Sequence, residues 1–344
     1  MKTTKMRAMV STGYGGPEVL QLQKVKKPVP DEYEVLVKIM ASSITTAETM
    51  MRTGYPLIGR LFTGLAKPKN RISGTGFSGV IEAIGEKVSQ FKIGDRVFGE
   101  SLDHFGTYAE YVCVKEQGII EILPKNISFE EAAAVGDGPI TSLNFLKNLG
   151  QIKAKDIILV IGASGSLGSA AVQLAKNHGA HVTGVCSHKN IEYVKSLGVD
   201  KAINYQKEDF LHSELTYDII YDTVGKSSFS KCKDALTSEG VYMSPVLNVN
   251  LLFQMLWTSI ASKKKAKFAA TGMLPHKTIR AYFKEIGSQM ERGNLKCTIS
   301  RRFSIGQIPD AHREIEKGHK RGNFIVDLNL QQVRYGNDIN PISS

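Results

Sequence analysis

The chain has 344 residues, with 44 Lys and Arg against 33 Asp and Glu, so its formal net charge is +11. Hydrophobic residues at 42% and charged residues at 22% are ordinary globular values, which excludes disordered, collagen-like and coiled-coil chains. The length suggests two domains. The positive charge points to an anionic partner: a phosphorylated cofactor, an acidic substrate, nucleic acid or a membrane surface.

Most of this charge belongs to one segment, which we call the basic segment, residues 263–321. It holds 15 Lys and Arg against 5 Asp and Glu, and the rest of the chain is almost neutral. Two interpretations stay open. The segment borders the mouth of an active site and attracts an anionic acceptor, or it is a solubilising face.

The four cysteines lie far apart, without CxxC spacing or the Cys/His clusters of zinc sites. Few cysteines in a long chain fit a reducing compartment, and the N-terminus shows no apolar signal segment, so we expect a cytoplasmic protein. The most apolar helix-like run, 246–260, contains Asn248, Asn250 and Gln254. We expect no membrane span, because a spanning helix takes roughly 20 apolar residues.

Residues 6–122 predict short strands separated by glycine-rich turns, which is typical of a β-rich, barrel-like module. From Ser128, where a capping box predicts a helix start, helices begin to alternate with strands. The apolar run 156–161 predicts a strand buried on both faces of a parallel sheet. This alternation predicts an α/β fold with a doubly wound sheet. The later predictions are helices over 140–149, 166–178, 190–197, 228–235 and 278–292, and strands over 181–185, 201–204, 217–222, 240–244 and 267–270.

A glycine loop follows the buried strand and opens the next helix. It has the sequence Gly162-Ala-Ser-Gly-Ser-Leu-Gly168, a shifted form of the GxGxxG dinucleotide fingerprint. Glycines let the backbone approach a pyrophosphate closely, and the helix N-terminus presents free N–H groups to the anion. The predicted cofactor-binding residues of this loop are Gly162, Ser164, Gly165, Ser166, Leu167 and Gly168.

The end of the next strand indicates which dinucleotide binds. An NAD site usually has an acid about 20 residues after the glycines, but here the strand ends in Cys186-Ser-His-Lys-Asn190. Ser187 and Lys189 suit a 2′-phosphate, by hydrogen bond and by charge, and Tyr205 would close that pocket. We therefore expect NADPH rather than NADH.

Two further strand ends lie where doubly wound sheets bind ligands. The stretches Asp222-Thr-Val-Gly225 and Ser244-Pro245 provide Val224 and Ser244 as candidate cofactor residues. Asp222 has two candidate roles, in catalysis or in capping the following turn.

Several motifs, in one order along nearly the whole chain, resemble the medium-chain dehydrogenase/reductase superfamily, and most closely its zinc-free quinone oxidoreductase (zeta-crystallin-like) branch. They include Gly16-Pro-Glu-Val-Leu20, Gly94-Asp-Arg-Val-Phe-Gly99, Gly106-Thr-Tyr-Ala-Glu-Tyr111, the glycine loop and Tyr221-Asp-Thr-Val-Gly225. The resemblance implies a GroES-like catalytic domain from residues 1–125 and 273–344, and a Rossmann NADPH-binding domain from residues 126–272. It also implies a homodimer and hydride transfer to a quinone, an enone or a related α,β-unsaturated carbonyl.

The resemblance also implies that no metal takes part. Zinc alcohol dehydrogenases have a Gly-His-Glu motif where this chain has Gly74-Thr-Gly76, and the region of their first cysteine ligand, here 41–46, contains no Cys. Zinc needs thiolate, imidazole or carboxylate ligands. We therefore expect no metal site.

The catalytic candidates come from matching positions. Tyr55 matches a tyrosine at the substrate cleft and is a candidate proton donor. Thr45 and Thr46 stand where many relatives have Asn-Pro and are candidates for binding the substrate or the nicotinamide ribose. Thr141, at a predicted helix start, and Asn323 are candidate contacts to the cofactor.

Three further functions stay open. An enoyl-thioester reductase uses the same chemistry, and CoA is strongly anionic. An NADPH-binding protein with a nucleic-acid-binding role would explain the charge, although no RNP1-like or helix-turn-helix motif is present. Residues 251–257 with Lys263-Lys-Lys265 resemble a basic amphipathic membrane anchor, against which a helix covering a sheet edge or dimer seam is favoured.

Overall fold

The computed structural model describes residues 4–55, 57–211, 215–318 and 320–330. Parts of the predicted domain ranges, residues 1–3 and 331–344, lie outside the described residues. The strands are β1 (Lys5–Ser11), β2 (Leu20–Lys26), β3 (Glu34–Ile44), β4 (Gly76–Ile84), β5 (Arg96–Glu100), β6 (Tyr111–Lys115), β7 (Ile119–Ile122), β8 (Ile157–Ile161), β9 (His181–Cys186), β10 (Lys201–Asn204), β11 (Tyr217–Asp222), β12 (Leu236–Met243), β13 (Lys265–Lys267), β14 (Ile299–Phe303) and β15 (Asn323–Asp327).

The α-helices connect and cover these strands. They are α1 (Thr46–Thr53), α2 (Arg60–Thr63), α3 (Phe129–Ala133), α4 (Gly138–Asn144), α5 (Ser166–Asn177), α6 (Ile191–Ser196), α7 (Phe229–Cys232), α8 (Val249–Ala261), α9 (His276–Glu291) and α10 (Ile308–Glu316).

Six strands form an all-parallel sheet in the order β10-β9-β8-β11-β12-β13. This is the 3-2-1-4-5-6 order of the Rossmann fold, so the predicted α/β fold class is confirmed. Ile158, Leu159 and Val160 of β8 are fully buried, as the continuous apolar run predicts for a strand covered on both faces. The carboxyl ends of all six strands lie along one edge.

A second, mixed sheet has the order β14-β15-β3-β4-β5-β7, with β6 paired to β3, and β1 and β2 form a separate hairpin. Strand β3 pairs antiparallel with β4 on one side and with β15 on the other. The C-terminal segment thereby completes a sheet that the N-terminal residues begin, as in a GroES-like domain. The exact domain bounds stay a prediction.

Several elements differ from the sequence prediction in their bounds, and two of them show the physical reason. Helix α4 begins at Gly138, earlier than the predicted 140, because Pro139 lies in its first turn, where proline is favourable. It continues as a π-helix over Phe145–Gly150. The last parallel strand lies at Lys265–Lys267 rather than at 267–270, and in this Lys-Ala-Lys strand only Ala266 is buried. One buried residue leaves too little pattern to detect.

Many cations of the basic segment form contacts within the fold. Arg280 of α9 pairs with Glu121 of β7, and Arg302 of β14 pairs with Glu130 of α3. Three lysine ammonium groups donate to backbone carbonyls: Lys264, Lys265 and Lys267. Much of the local charge therefore stabilises packing between elements.

Candidate cofactor and active site

The glycine loop joins β8 to α5. The backbone N–H groups of Gly162 and Ala163 both donate to Val185 O, at 3.0 and 2.9 Å, so the loop turns across the end of β9. Helix α5 has Gly165 as its cap, no side-chain cap and no acidic residue in its first turn. The first-turn N–H groups have no partner within the helix and can bind an anion.

Two glycines of this loop differ in whether the fold leaves room for a side chain. A Cβ at Gly168 would overlap the carbonyl oxygen of Gly162, so close helix–strand packing excludes it. At Gly165 the nearest atom to a Cβ would be 3.5 Å away, and the backbone is extended at φ −76° and ψ 178°. The fold therefore tolerates a side chain at Gly165. The open space there, at the cap of α5, is a cradle that a Cβ would fill.

The C-terminal segment borders the glycine loop. Gly322 N donates to Ser164 O at 2.9 Å, and Ser166 Oγ donates to Asn323 Oδ1 at 2.5 Å. Asn323 is buried, and its Nδ2 donates to Thr298 O at 3.2 Å. In this structure the Asn323 side chain links the parallel-sheet unit to the mixed sheet, so its hydrogen-bonding groups are already occupied.

Ser187, Lys189 and Tyr205 follow the carboxyl ends of β9 and β10, which are neighbours in the sheet. Asn190 Nδ2 donates to Ser164 Oγ at 3.1 Å and to Ser187 Oγ at 3.2 Å, which holds this turn against the glycine loop. Lys189 is exposed and forms no ion pair with a described residue, and Tyr205 is 46% exposed. A hydroxyl, an unpaired ammonium and an aromatic ring thus share one edge.

The remaining predicted cofactor residues lie along the same edge. Val224 follows β11 and is 44% exposed, and Ser244 follows β12 and is buried. Ser142 Oγ donates to Leu167 O at 2.8 Å, so α4 packs beside the start of α5. Thr141, half-buried in α4, is next to that contact. The candidate cofactor residues, predicted from local sequence patterns, therefore lie together at the carboxyl ends of the parallel strands.

Asp222 has a structural role. Its Oδ1 accepts from Val224 N and Gly225 N at 3.2 and 2.9 Å, and its Oδ2 accepts from Ser227 N and the Tyr242 hydroxyl at 2.7 and 3.1 Å. The carboxylate is fully used in capping the turn after β11, so the capping role is confirmed.

The three predicted catalytic residues differ in their surroundings. Thr45 is buried and caps α1, because its Oγ1 accepts from Glu48 N at 3.2 Å while Glu48 Oε2 accepts from Thr45 N at 2.8 Å. Thr46 is exposed, and Tyr55 is 71% exposed, with no hydrogen bond from its hydroxyl to a described residue. The Thr45–Glu48 spacing is a capping box that the sequence displays.

A buried polar network beside α1 is absent from the sequence predictions. The Tyr108 hydroxyl donates to Glu48 Oε2 at 2.6 Å and lies 3.3 Å from His312 Nε2, and Arg52 Nε donates to His312 Nδ1 at 3.3 Å. Because Nδ1 accepts, the proton of the neutral ring is on Nε2 and faces Tyr108. Arg52 also pairs with Glu316. No local pattern reveals these contacts, which join residues far apart in the chain.

Burial changes the protonation of this region. It raises the pKa of Glu48 to about 7, against the hydrogen bonds that favour the carboxylate. Burial, and then the nearby Glu48 and Asp137 carboxyls, raise the pKa of Glu100 to about 8. Burial, and then the Arg52 guanidinium, lower the pKa of His312 to about 3. His312 is therefore neutral near pH 7.

Among the described residues, no group of three or more His, Cys, Asp or Glu is placed to hold a metal ion. None of the helices in that part of the chain is long and apolar enough to cross a membrane.

Two family models match the chain. A model described as "Alcohol dehydrogenase GroES-like domain" matches residues 31–125, and one described as "Zinc-binding dehydrogenase" matches residues 197–326. The zinc of that second description does not fit the donors here, since Thr75 N and Thr75 Oγ1 are bound to Glu48 and neither Cys nor His lies in 41–46.

Two proteins and one solved structure are similar to most of the chain. A quinone oxidoreductase of Pseudomonas aeruginosa is 30% identical over 333 residues, covering 91% of this chain and 97% of that protein. A 2-methylene-furan-3-one reductase of Solanum lycopersicum is 30% identical over 336 residues, covering 94% and 79%. The structure of a quinone oxidoreductase from Coxiella burnetii superposes with a TM-score of 0.83 at 28% identity, covering 94% and 100%.

Proposed function

Because the chain belongs to the quinone oxidoreductase branch of the medium-chain dehydrogenase/reductase superfamily, and is thus an NAD(P)H-dependent oxidoreductase, we propose that it uses NADPH to reduce quinones, enones or related α,β-unsaturated carbonyls without a metal. The observation that carries the proposal is the cradle at Gly165. It lies beside a strand end that offers Ser187 and Lys189 in place of an acid.

The chain's own groups have distinct tasks in this reaction. The first-turn N–H groups of α5 bind the pyrophosphate, and Ser187 and Lys189 bind the 2′-phosphate. The bound nicotinamide supplies a hydride. Thr46 and Tyr55, both accessible, contact the acceptor. Glu48 holds Thr45 and the start of α1 in place.

The acceptor class is supported by the names of two relatives. A quinone and a 2-methylene-furan-3-one both contain a carbonyl conjugated to a carbon–carbon double bond. Charge that develops on such a carbonyl oxygen needs a donor in place of a metal. The proposal therefore concerns conjugated carbonyls rather than simple alcohols.

Steady-state assays of NADPH oxidation test this function. The acceptors are 1,2-naphthoquinone, a small enone and crotonyl-CoA, each at two salt concentrations. We expect turnover with the quinone and the enone. Preference for crotonyl-CoA would favour the enoyl-thioester reductase, and NADPH consumption with none of them would contradict both functions.

We also propose a homodimer that covers α8. This helix packs beside the edge strand β13, and its outer face exposes large apolar side chains: Val249, Leu252, Phe253, Leu256, Trp257 and Ile260. Apolar patches of this kind typically form protein interfaces. Light scattering of the wild type and of the double variant F253K/W257K tests this, because the charged variant should be monomeric.

Two binding assays test whether the charged and apolar surfaces bind a membrane or RNA instead. Sedimentation with anionic liposomes measures membrane attachment, and RNA affinity at increasing salt measures nucleic-acid binding. We expect neither membrane attachment nor RNA affinity, because the proposed homodimer covers the apolar face of α8 and the sequence has no RNP1-like or helix-turn-helix motif.

A further inference from the structure

A carboxyl group without a partner lies beside the start of α4. Glu100 ends β5, where it is paired in register with Gly76 of β4. A Cβ at Gly76 would meet Ser43 Oγ of β3. Cross-strand neighbours place their side chains on the same face of a sheet. Ser43 and Glu100 therefore flank the gap that Gly76 leaves in this row.

The two polar side chains of this row, Ser43 and Glu100, have no hydrogen-bond partner among the described residues. Among the described residues, the half-buried Glu100 carboxyl has neither a hydrogen bond nor an ion pair. Ser43 is 2% exposed, and its hydroxyl also lacks a partner. Buried polar groups are normally hydrogen-bonded. An orphaned buried hydroxyl beside a half-buried carboxyl without a described partner indicates a place where another molecule contributes the missing contacts.

The row faces the glycine loop region. The Glu100 carboxyl lies along Gly136, since a Cβ there would be 2.6 Å from its Oε1. The next residue, Asp137, pairs with Lys320 at 3.4 Å, and Lys320 Nζ donates to Ile44 O at 3.0 Å. Glu100 thus lies beside the turn 136–137, which Lys320 connects to the end of β3, where the catalytic candidates begin.

Two acidic groups act electrostatically on Glu100 and help to raise its pKa: Glu48 from α1 and Asp137 from the turn before α4. The cation nearest to Asp137, Lys320, is occupied with that residue. Glu100 also lines a cavity whose other titratable and charged residues are Glu34, Asp103, His104, Cys113, Lys115 and His276. Of these, His276 pairs with Asp103 at 3.5 Å.

No described cation therefore neutralises Glu100. A carboxyl in this position favours its protonated form, and burial raises its pKa to about 8. A neutral carboxyl can donate a proton, as an ionised one cannot.

We propose that Glu100 is the general acid of this site and donates its proton to the acceptor oxygen. The inference rests on the proposed function. The carboxyl O–H bond breaks and leaves its electron pair on Glu100, and a new O–H bond forms on the acceptor oxygen. The acceptor also gains the hydride of the reduced dinucleotide, so a quinone becomes a hydroquinone and an enone becomes an enol. Water returns a proton to Glu100 through its exposed part.

A first experiment needs no turnover. The free energy of unfolding of the cofactor-free protein is measured against pH for wild type, for E100Q and for the control E82Q, at an exposed ion pair with Lys27. An unfolded Glu loses its proton near pH 4.5 and folded Glu100 near pH 8. Its stabilising contribution is therefore present below pH 4.5 and lost as the pH rises to 8.

We expect E100Q to gain stability relative to wild type over that range, and E82Q to show no such gain. A difference between E100Q and wild type that does not vary with pH would mean that folded Glu100 loses its proton at the same pH as an unfolded Glu. Glu100 would then be ionised near neutral pH, which overturns the inference.

A second experiment measures kcat, its pH profile and NADPH affinity. General acids contribute about 10²–10⁴-fold, so we expect E100Q to lose that factor in kcat with the enone while NADPH affinity is unchanged. The loss should be smaller with the quinone, because a hydroquinone anion is less basic than an enolate. E100D, which keeps a proton, should retain part of the rate.

The outcomes separate the two proposals. A wild type that turns over and an E100Q variant of equal rate and pH profile overturn only the role of Glu100. A wild type that reduces no acceptor contradicts the proposed function and, with it, the catalytic role. The unfolding experiment then still shows whether the carboxyl is protonated near neutral pH.

Discussion

The hydroxyl of Ser166, in the first turn after the glycine loop, donates to the side-chain oxygen of Asn323 at 2.5 Å. The two residues are 157 positions apart in the chain: Ser166 begins helix α5, and Asn323 begins strand β15 of the mixed sheet. Each is buried, and the side chain of Asn323 is further fixed by the hydrogen bond that its Nδ2 donates to Thr298 O. The geometry of the glycine loop therefore depends on the C-terminal segment.

Replacement of Asn323 by Ala tests this dependence. It leaves the buried Ser166 hydroxyl without its acceptor, so we expect a loss of about 1–3 kcal/mol in the free energy of unfolding. NADPH affinity should fall as well, because the start of α5 is no longer held. Urea unfolding and fluorescence titration measure both, with N177A at an exposed Asn as the control. Unchanged affinity would show that the loop is held without this bond.

Ala substitutions at two glycines of the loop should affect different properties: NADPH binding at Gly165 and the free energy of unfolding at Gly168. G165A should leave the free energy of unfolding unchanged but weaken NADPH binding about tenfold, because the methyl group fills the cradle. G168A should destabilise the protein by about 1–3 kcal/mol through overpacking against Gly162 O. Calorimetry and cofactor titration on the pair separate the roles. Full affinity in G165A would show that the pyrophosphate does not occupy the cradle.

Removal of the Lys189 ammonium tests the cofactor preference. In K189A we expect the dissociation constant of NADPH to rise about tenfold, which corresponds to about 1.4 kcal/mol, while that of NADH stays the same. The matched control is K201A, an exposed lysine at the opposite end of the strands. Equal changes for both cofactors would contradict a 2′-phosphate contact, as would equal thermal stabilisation of the wild type by NADPH and NADH.

His312 should make the protein sensitive to acid. Its folded-state pKa of about 3 lies below the ordinary 6.5, so the unfolded chain binds a proton that the folded protein does not. This contribution to stability is present above pH 6.5 and is lost as the pH falls toward 3. H312Q should show a shallower decline over that range and be less stable at pH 7 by about 1–3 kcal/mol, since it disturbs the buried network.

Unfolding curves at several pH values measure this effect. H104Q, at an exposed histidine, is the control. An H312Q variant whose stability falls with acid as steeply as that of wild type would contradict the assignment of the neutral ring.

The sequence predicts those parts of the site whose signal is local. The buried strand, the glycine loop and the following helix are contiguous in the chain. Their pattern therefore predicts that the carboxyl-end edge of the parallel sheet binds the cofactor. Ser187 and Lys189 are found because a parallel strand must end at that edge. The capping box at Thr45 and Glu48 is an equally local signal, and it explains why Thr45, a catalytic candidate by its matching position, caps α1 in the structure.

Tertiary structure alone decided which distant polar groups meet. The antiparallel pairing of β15 with β3 brings residues near 323 beside Ile44, and the register of β4 with β5 sets Glu100 opposite Gly76. Strand pairing over such separations depends on the packing of both sheets, which no local pattern encodes. The sequence by itself thus determined the fold class and the position of the glycine loop between β8 and α5. Only the folded chain decided that Asn323 holds that loop and that Glu100 lies unpaired beside the start of α4, because both follow from contacts between segments far apart in the chain.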